Sequence, residues 1–246
     1  MARKGIRPGP KDGGEQEMDV PKTGSFDGQR ELWERSFTED GAFFGQEESL
    51  PARWAAEAFR RDDAKRILEL GCGQGRDSLF FARRGFFVTA ADYSAAALKT
   101  LSEEAAVRGT ASRIRTAETD ARKVLPFEDG SFDGCYSHML FCMALTVKEL
   151  LFLASEIRRV LVPRGLNIYT VRHKGDAHWG KGACRAEDIW ELDGYAVRFF
   201  DRQAVALLAD GFSLEEVTEF EEGDLPRKLF YVAERRLETP VPGPAA

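Results

Sequence analysis

Ile67-Leu68-Glu69-Leu70-Gly71-Cys72-Gly73-Gln74-Gly75 is the stretch on which the fold turns. Its first four residues read as a short buried strand, and three alternating glycines follow at once. An apolar helical pattern with Leu79, Phe80 and Ala82 then runs to Arg84, where Gly85 stops it. Strand, glycine turn and helix in immediate succession are the opening of a βαβ unit, and the pattern repeats downstream. Phe87 to Ala91 is a second strand ending at Asp92. Ser94 caps a helix with Ala97, Leu98, Leu101 and Ala105 on one stripe, and a weaker strand at Arg113–Thr116 leads to Asp120.

Outward from this unit, Phe132–Ser137 reads as the fourth strand, and 146–162 is the cleanest helix, ended by Pro163-Arg164-Gly165. Leu166–Val171 is strand five, and a helix from Asp201 stops at Gly211. Two strands near Ser213–Glu219 and Lys228–Ala233 are joined by a connection short enough only for antiparallel neighbours. Upstream, Leu32, Trp33 and Phe37 share a helical face. The loop Gly41–Gly45 follows, and Pro51 opens a Ser49-capped helix with Trp54, Ala58 and Phe59 inward. Alternating strands and helices predict an α/β, doubly wound, Rossmann-like sheet, mostly parallel with one reversed strand at the end. Ligands of such sheets sit beyond the carboxyl ends of the strands.

The residues at those ends carry the chemistry. Glycines at 71, 73 and 75 let the chain turn sharply and bring backbone N–H groups close to a ligand. The dinucleotide fingerprint places its third glycine three residues after the second, whereas Gly75 follows Gly73 by two. No GxxxxGK[ST] sequence is present, so a P-loop nucleotide enzyme is unsupported. Asp92 stands where a carboxylate can accept both ribose hydroxyls, and Asp120 where an adenine edge can be met. Either alone is commonly a strand-end cap, but packing does not explain all three features at successive strand ends.

Glu69 to Gly75, Asp92, Asp120, Phe132-Asp133-Gly134-Cys135-Tyr136-Ser137 and Leu161-Val162-Pro163-Arg164-Gly165 together resemble the ordered motifs of class I S-adenosylmethionine-dependent methyltransferases. The resemblance spans about residues 40–235. It implies a seven-stranded sheet with an antiparallel last strand and S-adenosyl-L-methionine as cofactor. It also implies roles: Glu69, Gly71, Cys72, Gly73 and Gly75 near the methionine portion, Asp92 with Tyr93 at the ribose, Asp120 with Ala121 at the adenine, and Ser137 beside the methyl donor. Gly75-Arg76-Asp77 and Phe44-Gly45-Gln46-Glu47-Glu48-Ser49 further resemble the tellurite-resistance and thiopurine methyltransferase branch, whose members methylate small soft nucleophiles.

Methyl transfer from a sulfonium needs alignment more than activation, so a catalytic triad is not required. The three histidines, His138, His173 and His178, all lie just past strands four and five. His138 is the candidate base or substrate hydrogen-bonder, against the alternative of a satisfied structural histidine. Arg172 to Gly180, with His173, His178 and Trp179, is a polar loop that binds substrate or folds over the site, and Phe44 with Gly45 is the candidate lid. His138, Cys142, His173, Asp176, His178 and Cys184 are metal-ligand types without compact spacing, so no metal is expected.

Composition bounds the rest. The 246 residues carry 35 Lys plus Arg against 41 Asp plus Glu, a net charge of −6 that disfavours nucleic-acid binding. No 18-residue apolar run and no signal-like start appear, and the four cysteines form no CxxC pair. These features lead to the expectation of a cytoplasmic monomer or homodimer with neither membrane nor nucleic-acid partners. The expected organisation is a disordered tail at 1–25, one domain at 26–238 and a flexible tail at 239–246. The leading reading is a methyltransferase acting on a small molecule through S, O, N or a metalloid, with a soft atom preferred. Alternatives are a catalytically silent SAM-binding regulatory protein and a nicotinamide-dependent oxidoreductase.

Overall fold

Period-two alternation along the central strands sorts the core into two layers. Tyr136, Ile168 and Tyr231 point to one face of a sheet with Phe59, Phe81 and Leu101, while Cys135, Tyr169 and Phe230 point to the other with Leu153 and Ile157. The structure is a computed structural model that describes residues 28–223 and 227–238. The tails expected at 1–25 and 239–246 lie outside the described residues.

The chain runs α1 (Gly28–Glu39), α2 (Leu50–Arg61), β1 (Arg66–Leu70), α3 (Arg76–Arg83), β2 (Phe87–Asp92), α4 (Ala95–Val107), β3 (Ile114–Glu118), β4 (Phe132–His138) and α5 (Val147–Val160). It continues through β5 (Leu161–Arg172), β6 (Ala183–Ala186), β7 (Ile189–Leu192), β8 (Tyr195–Arg198), α6 (Arg202–Leu208), β9 (Phe212–Glu222) and β10 (Arg227–Arg236). Seven strands form one sheet in the order β3-β2-β1-β4-β5-β10-β9. β1 pairs in parallel with both β2 and β4, and β10 runs antiparallel to β5 and β9. The strand order reverses between β1 and β4, which makes a crevice at their carboxyl ends. Caps fix where the helices start: Ser49, Ser94 and Asp201 each accept an amide of their own first turn, and Thr146 with Glu149 forms a reciprocal capping box. Among the described residues no helix is long and apolar enough to cross a membrane.

Two local expectations are corrected. Pro163-Arg164-Gly165 does not end α5: the chain is already extended at Leu161, and these residues lie inside β5. Arg164 takes a left-handed φ of 65° there, beside an irregular pairing with β4. Trp54 is not inward but 36% exposed, set edge-on against Phe220 and Tyr231. Residues 183–198, for which the sequence pattern predicted no element, form a separate antiparallel sheet, β6-β7-β8. Its second turn, Asp193-Gly194, has both residues left-handed, the geometry that an Asp-Gly pair favours in a two-residue hairpin.

Candidate active site

A cavity of about 370 Å³ opens over the crevice at the carboxyl ends of the strands. Its floor is the glycine loop, whose shape follows from backbone needs. Gly71, Gly73 and Gly75 all have positive φ (68°, 51° and 80°). A Cβ on Gly75 would meet Leu101 Cδ1 at 2.2 Å, so this glycine is needed twice, for conformation and for packing against α4. The loop is tied to the end of β2. Gly71 and Cys72 donate to the Ala91 carbonyl at 2.8 and 3.2 Å, and Gly73 N–H donates to Asp92 Oδ2 at 2.9 Å. The other oxygen of Asp92 accepts from Ser94 N–H at 2.9 Å. Burial raises the Asp92 carboxyl above its ordinary range, and the amides of Ser94, Gly73 and Tyr93 offset part of that.

Glu69, at the end of β1, is buried and accepts the hydroxyl of Ser78. Burial, then repulsion from Asp77, pushes its carboxyl well above the usual range. A cation placed in the cavity beside it would reverse both effects. Asp77 is itself held inward, accepting from Ser49 N–H and Oγ at 2.7 Å and from Tyr136 Oη at 3.2 Å. Cys72 lines the cavity as a buried thiol whose pKa burial raises well above normal, so it is not a nucleophile at neutral pH.

At the far side, His138 ends β4 with both ring nitrogens engaged. Nδ1 is 2.8 Å from Thr170 Oγ1 and Nε2 is 3.0 Å from Glu222 Oε2. Burial works to raise the Glu222 carboxyl, but the His138 hydrogen bond and the charges of Arg76 and Arg227 hold it below the usual range. An ionised Glu222 requires Nε2 to be the donor. In this arrangement His138 therefore presents no free lone pair to the cavity through either nitrogen. Met139, the next residue, has φ 63° and donates its N–H to Thr170 Oγ1 at 3.0 Å, which turns the chain sharply out of β4.

The roof is aromatic. Trp33 of α1 stacks on Phe37 at 5.6 Å and meets Phe44 at 5.8 Å and Tyr195 of β8 at 4.8 Å. Gln74 fastens roof to floor, donating to the carbonyls of Phe37 (3.2 Å) and Asp40 (2.6 Å) and accepting from Phe43 N–H at 2.9 Å. Arg76 Nη1 adds a bond to the Phe44 carbonyl at 2.9 Å.

Of the residues singled out in the sequence, Glu69, Gly71, Cys72, Gly73, Gly75, Asp92, Tyr93, Ala121, His138, Phe44 and Gly45 line this cavity together. Asp120 does not: its carboxylate is held by Arg122 at 2.8 Å. Thr119 lines the cavity at that end instead, and its Oγ1 is buried without a hydrogen-bond partner. Ser137 is buried in β4 below the rim, its Oγ unpartnered. The 172–180 segment is drawn away from the cavity. Arg172 pairs with Asp176 at 2.5 Å and with His178 Nδ1 at 2.9 Å, His173 stacks on Phe230 at 4.8 Å, and Trp179 packs on Trp190 and Phe199. Trp179 thereby buttresses β7 of the small sheet, and His173 packs on β10. Among the described residues no group of three or more His, Cys, Asp or Glu is placed to hold a metal ion. Sequence reading missed Trp33 and Phe37 as roof residues, and Gln74, Thr119, Glu222 and Arg227 altogether; only Gln74, inside the glycine loop, carried a local signal.

Comparison with known proteins agrees with this geometry. Residues 67–165 match the methyltransferase-domain family. A malonyl-acyl-carrier-protein O-methyltransferase of Erwinia pyrifoliae is 32% identical over 121 residues, 48% of this chain and 42% of that protein. The chain thus spans less than half the length of the curated relatives it matches. The 1,6-didemethyltoxoflavin-N1-methyltransferase of Burkholderia thailandensis, solved with S-adenosylhomocysteine, superposes with a TM-score of 0.69 at 17% identity, covering 89% of this chain and 93% of that one. The cyclase SpnF superposes at 0.62 with 18% identity, covering 86% and 94%. The fold is that of the class I S-adenosylmethionine-dependent methyltransferases, and the match to the methyltransferase-domain family falls on the centre of the chain.

Proposed function

We propose that the protein is an S-adenosyl-L-methionine-dependent methyltransferase acting on a small-molecule acceptor. The observation that carries this is one continuous cavity running from Thr119 and Asp92 across the glycine loop to His138, Glu222 and Arg227. The residues present fit the cofactor. Asp92 has carboxylate lone pairs left for a ribose, and Thr119 Oγ1, without a partner among the described residues, offers a polar contact at the adenosine end. Glu69 gains its charge back beside an ammonium group, which suits the amino-acid end. When bound, the cofactor supplies a methyl group activated by its own sulfonium. The chain's residues then bind, orient and exclude water: the aromatic roof closes the site, and Met139, Leu140 and Met143 give the acceptor an apolar bed. Alignment of this kind contributes about 7–11 kcal/mol in favourable cases.

The segments that carry the finer resemblance meet at the roof, Arg76 binding the Phe44 carbonyl and Asp77 binding Ser49. That contact supports a place near the tellurite-resistance and thiopurine branch and keeps a thiol among the acceptors to test first. The fold itself does not choose the reaction, since a cyclase shares it. Isothermal titration with S-adenosylmethionine, S-adenosylhomocysteine and NAD tests the reading. Micromolar binding of both adenosyl ligands with none of NAD is expected. Binding of NAD alone would instead revive an oxidoreductase, and adenosyl binding without turnover over a broad acceptor panel would point to a silent binding protein.

A further inference from the structure

The β9–β10 hairpin carries a guanidinium without a hydrogen-bonded side-chain partner among the described residues. Arg227 opens β10 directly across from Glu222 at the end of β9, and both line the cavity. Among the described residues the Arg227 side chain makes no hydrogen bond and no ion pair within 4.0 Å, although its charge helps hold the Glu222 carboxyl below the usual range. Its cross-strand neighbour is engaged elsewhere: Glu222 Oε2 meets His138 Nε2 at 3.0 Å, and Oε1 lies 4.0 Å from Arg76 Nη2. The other carboxylates of the cavity are turned to their own partners, Asp77 to Ser49 and Tyr136, Glu69 to Ser78, and Asp92 to Gly73 and Ser94. Arg76 stands between two carboxylates, its Nε 3.9 Å from Asp77 Oδ1 and its Nη2 4.0 Å from Glu222 Oε1, which leaves Arg227 as the guanidinium of the cavity with no carboxylate within 4.0 Å among the described residues.

Sheet order places that charge. Asp92 ends β2, and β10 lies four strands away across β1, β4 and β5, roughly 19 Å at ~4.8 Å per strand. Between them lie the glycine loop and then the apolar wall of Met139, Leu140 and Met143. The adenosine and amino-acid ends of a cofactor held by Asp92, the loop and Glu69 fall on the β2–β1 side, so Arg227 faces what lies beyond the methyl group. A guanidinium is permanently charged and offers a planar fork of donors that matches a carboxylate in two parallel bonds.

We propose that Arg227 reads the methyl acceptor and that the acceptor is a small carboxylic acid, its carboxylate on Arg227 and its apolar or aromatic body against Met139, Met143 and Phe44. This rests on the methyltransferase reading above and narrows its substrate class. His138 is then a positioning residue: held by Thr170, it holds Glu222 away from Arg227 and leaves the guanidinium open to the ligand. The competing source of the same chemistry is the carboxylate of the cofactor's own amino-acid end.

The test uses paired probes carrying S, O or N nucleophiles: 2-mercaptobenzoate, salicylate and anthranilate, each against its primary amide. Binding in the presence of S-adenosylhomocysteine and methyl transfer from S-adenosylmethionine are both measured, for the full chain and for Arg227→Gln and Arg227→Lys. The expected result is that acids bind at least tenfold more tightly than amides in the wild type. Arg227→Gln should remove that preference and leave the S-adenosylhomocysteine Kd within twofold, which also shows the variant folded, and Arg227→Lys should restore part of it. A tenfold loss of S-adenosylhomocysteine affinity in Arg227→Gln with the acid preference intact assigns Arg227 to the cofactor and overturns the proposal. Equal binding of acids and amides by a wild type that binds S-adenosylhomocysteine overturns it too, while the methyltransferase reading stands. Failure of the wild type to bind S-adenosylhomocysteine removes both.

Discussion

Both oxygens of Asp92 accept amides of the protein itself, from Gly73 and Ser94, so one carboxylate sets the loop, caps the start of α4 and faces the cavity. Asp92→Asn puts an NH₂ donor where one of two N–H groups already donates. The expected outcome is a loss of about 1.5–3 kcal/mol of binding, the range for a hydrogen bond to a charged group, read as a fall in S-adenosylhomocysteine affinity of at least tenfold. Asp120→Asn is the control, because the Asp120 carboxylate is held by Arg122 rather than turned to the cavity. It should stay within threefold of wild type, and equal losses in both variants would refute this division of roles. Asp92 was legible because it sits a fixed short distance beyond the glycines at a strand end. Glu222 was not, because 84 residues separate it from His138 and the pairing exists only once β10 has brought β9 alongside the sheet. His138 was legible as a site residue, but its hydrogen-bonding state was not, since Thr170 and Glu222 decide it.

At the scale of elements, the roof is an assembly of three segments, α1 and the loop directly after it together with β8 far away in sequence. Besides the ring cluster, α1 is held to β8 and the turn before it by Gln29, which donates to the Gly194 carbonyl at 2.7 Å and accepts from Ala196 N–H at 3.0 Å. Ser36 and Tyr195 add a hydroxyl pair at 2.8 Å. Trp33 touches Phe37, Phe43, Phe44 and Tyr195, so Trp33→Ala removes the ring that joins all three segments. The side chain is only half-buried, and the expected loss is about 1–3 kcal/mol, below the 3–5 typical of a fully buried aromatic. That loss is local. Hydrogen exchange should accelerate tenfold or more in 28–45 while β1 and β2 keep their protection, and S-adenosylhomocysteine should bind more weakly. Uniform acceleration across the chain would mean that the roof is not a separate unit. The strands of the main sheet were legible from apolar runs and from the stops at Gly85, Gly130 and Gly211. β6 to β8 were not, because each has four residues and no clean alternation. Asp193-Gly194 was the one available signal, and it lies between runs of only four residues, Ile189–Leu192 and Tyr195–Arg198.

For the whole molecule, the telling contact lies in the sheet centre, away from the cavity. Glu234 of β10 is 1% exposed, paired across to Asn167 of β5, whose Nδ2 donates to its Oε1 at 2.9 Å. Among the described residues Glu234 Oε2, Asn167 Oδ1 and Tyr169 Oη have no hydrogen-bond partner. Burial pushes the Glu234 carboxyl up to about 8, with the Asn167 hydrogen bond opposing. In the unfolded chain the group returns to the usual value near 4.5. Between these values the native state keeps a proton that the unfolded chain releases, so unfolding is disfavoured by acid. The contribution is fully present below about pH 4.5, falls as pH rises, and is lost on passing about 8. Each pH unit separating the two values is worth about 1.36 kcal/mol, which makes the contribution roughly 3–5 kcal/mol. Glu234→Gln keeps an acceptor for Asn167 and never ionises. The variant should be close to wild type at about pH 5 and more stable by a few kcal/mol at about pH 9, measured as urea midpoints at both values. Parallel pH profiles for the two proteins would mean that Glu234 ionises as readily in the native protein as in the unfolded chain, with water or a shift of β10 solvating its charge. The same variant separates fold from site. Glu234 does not line the cavity, so S-adenosylhomocysteine affinity at neutral pH should be unchanged while the stability curve flattens, which no substitution around Asp92 would produce.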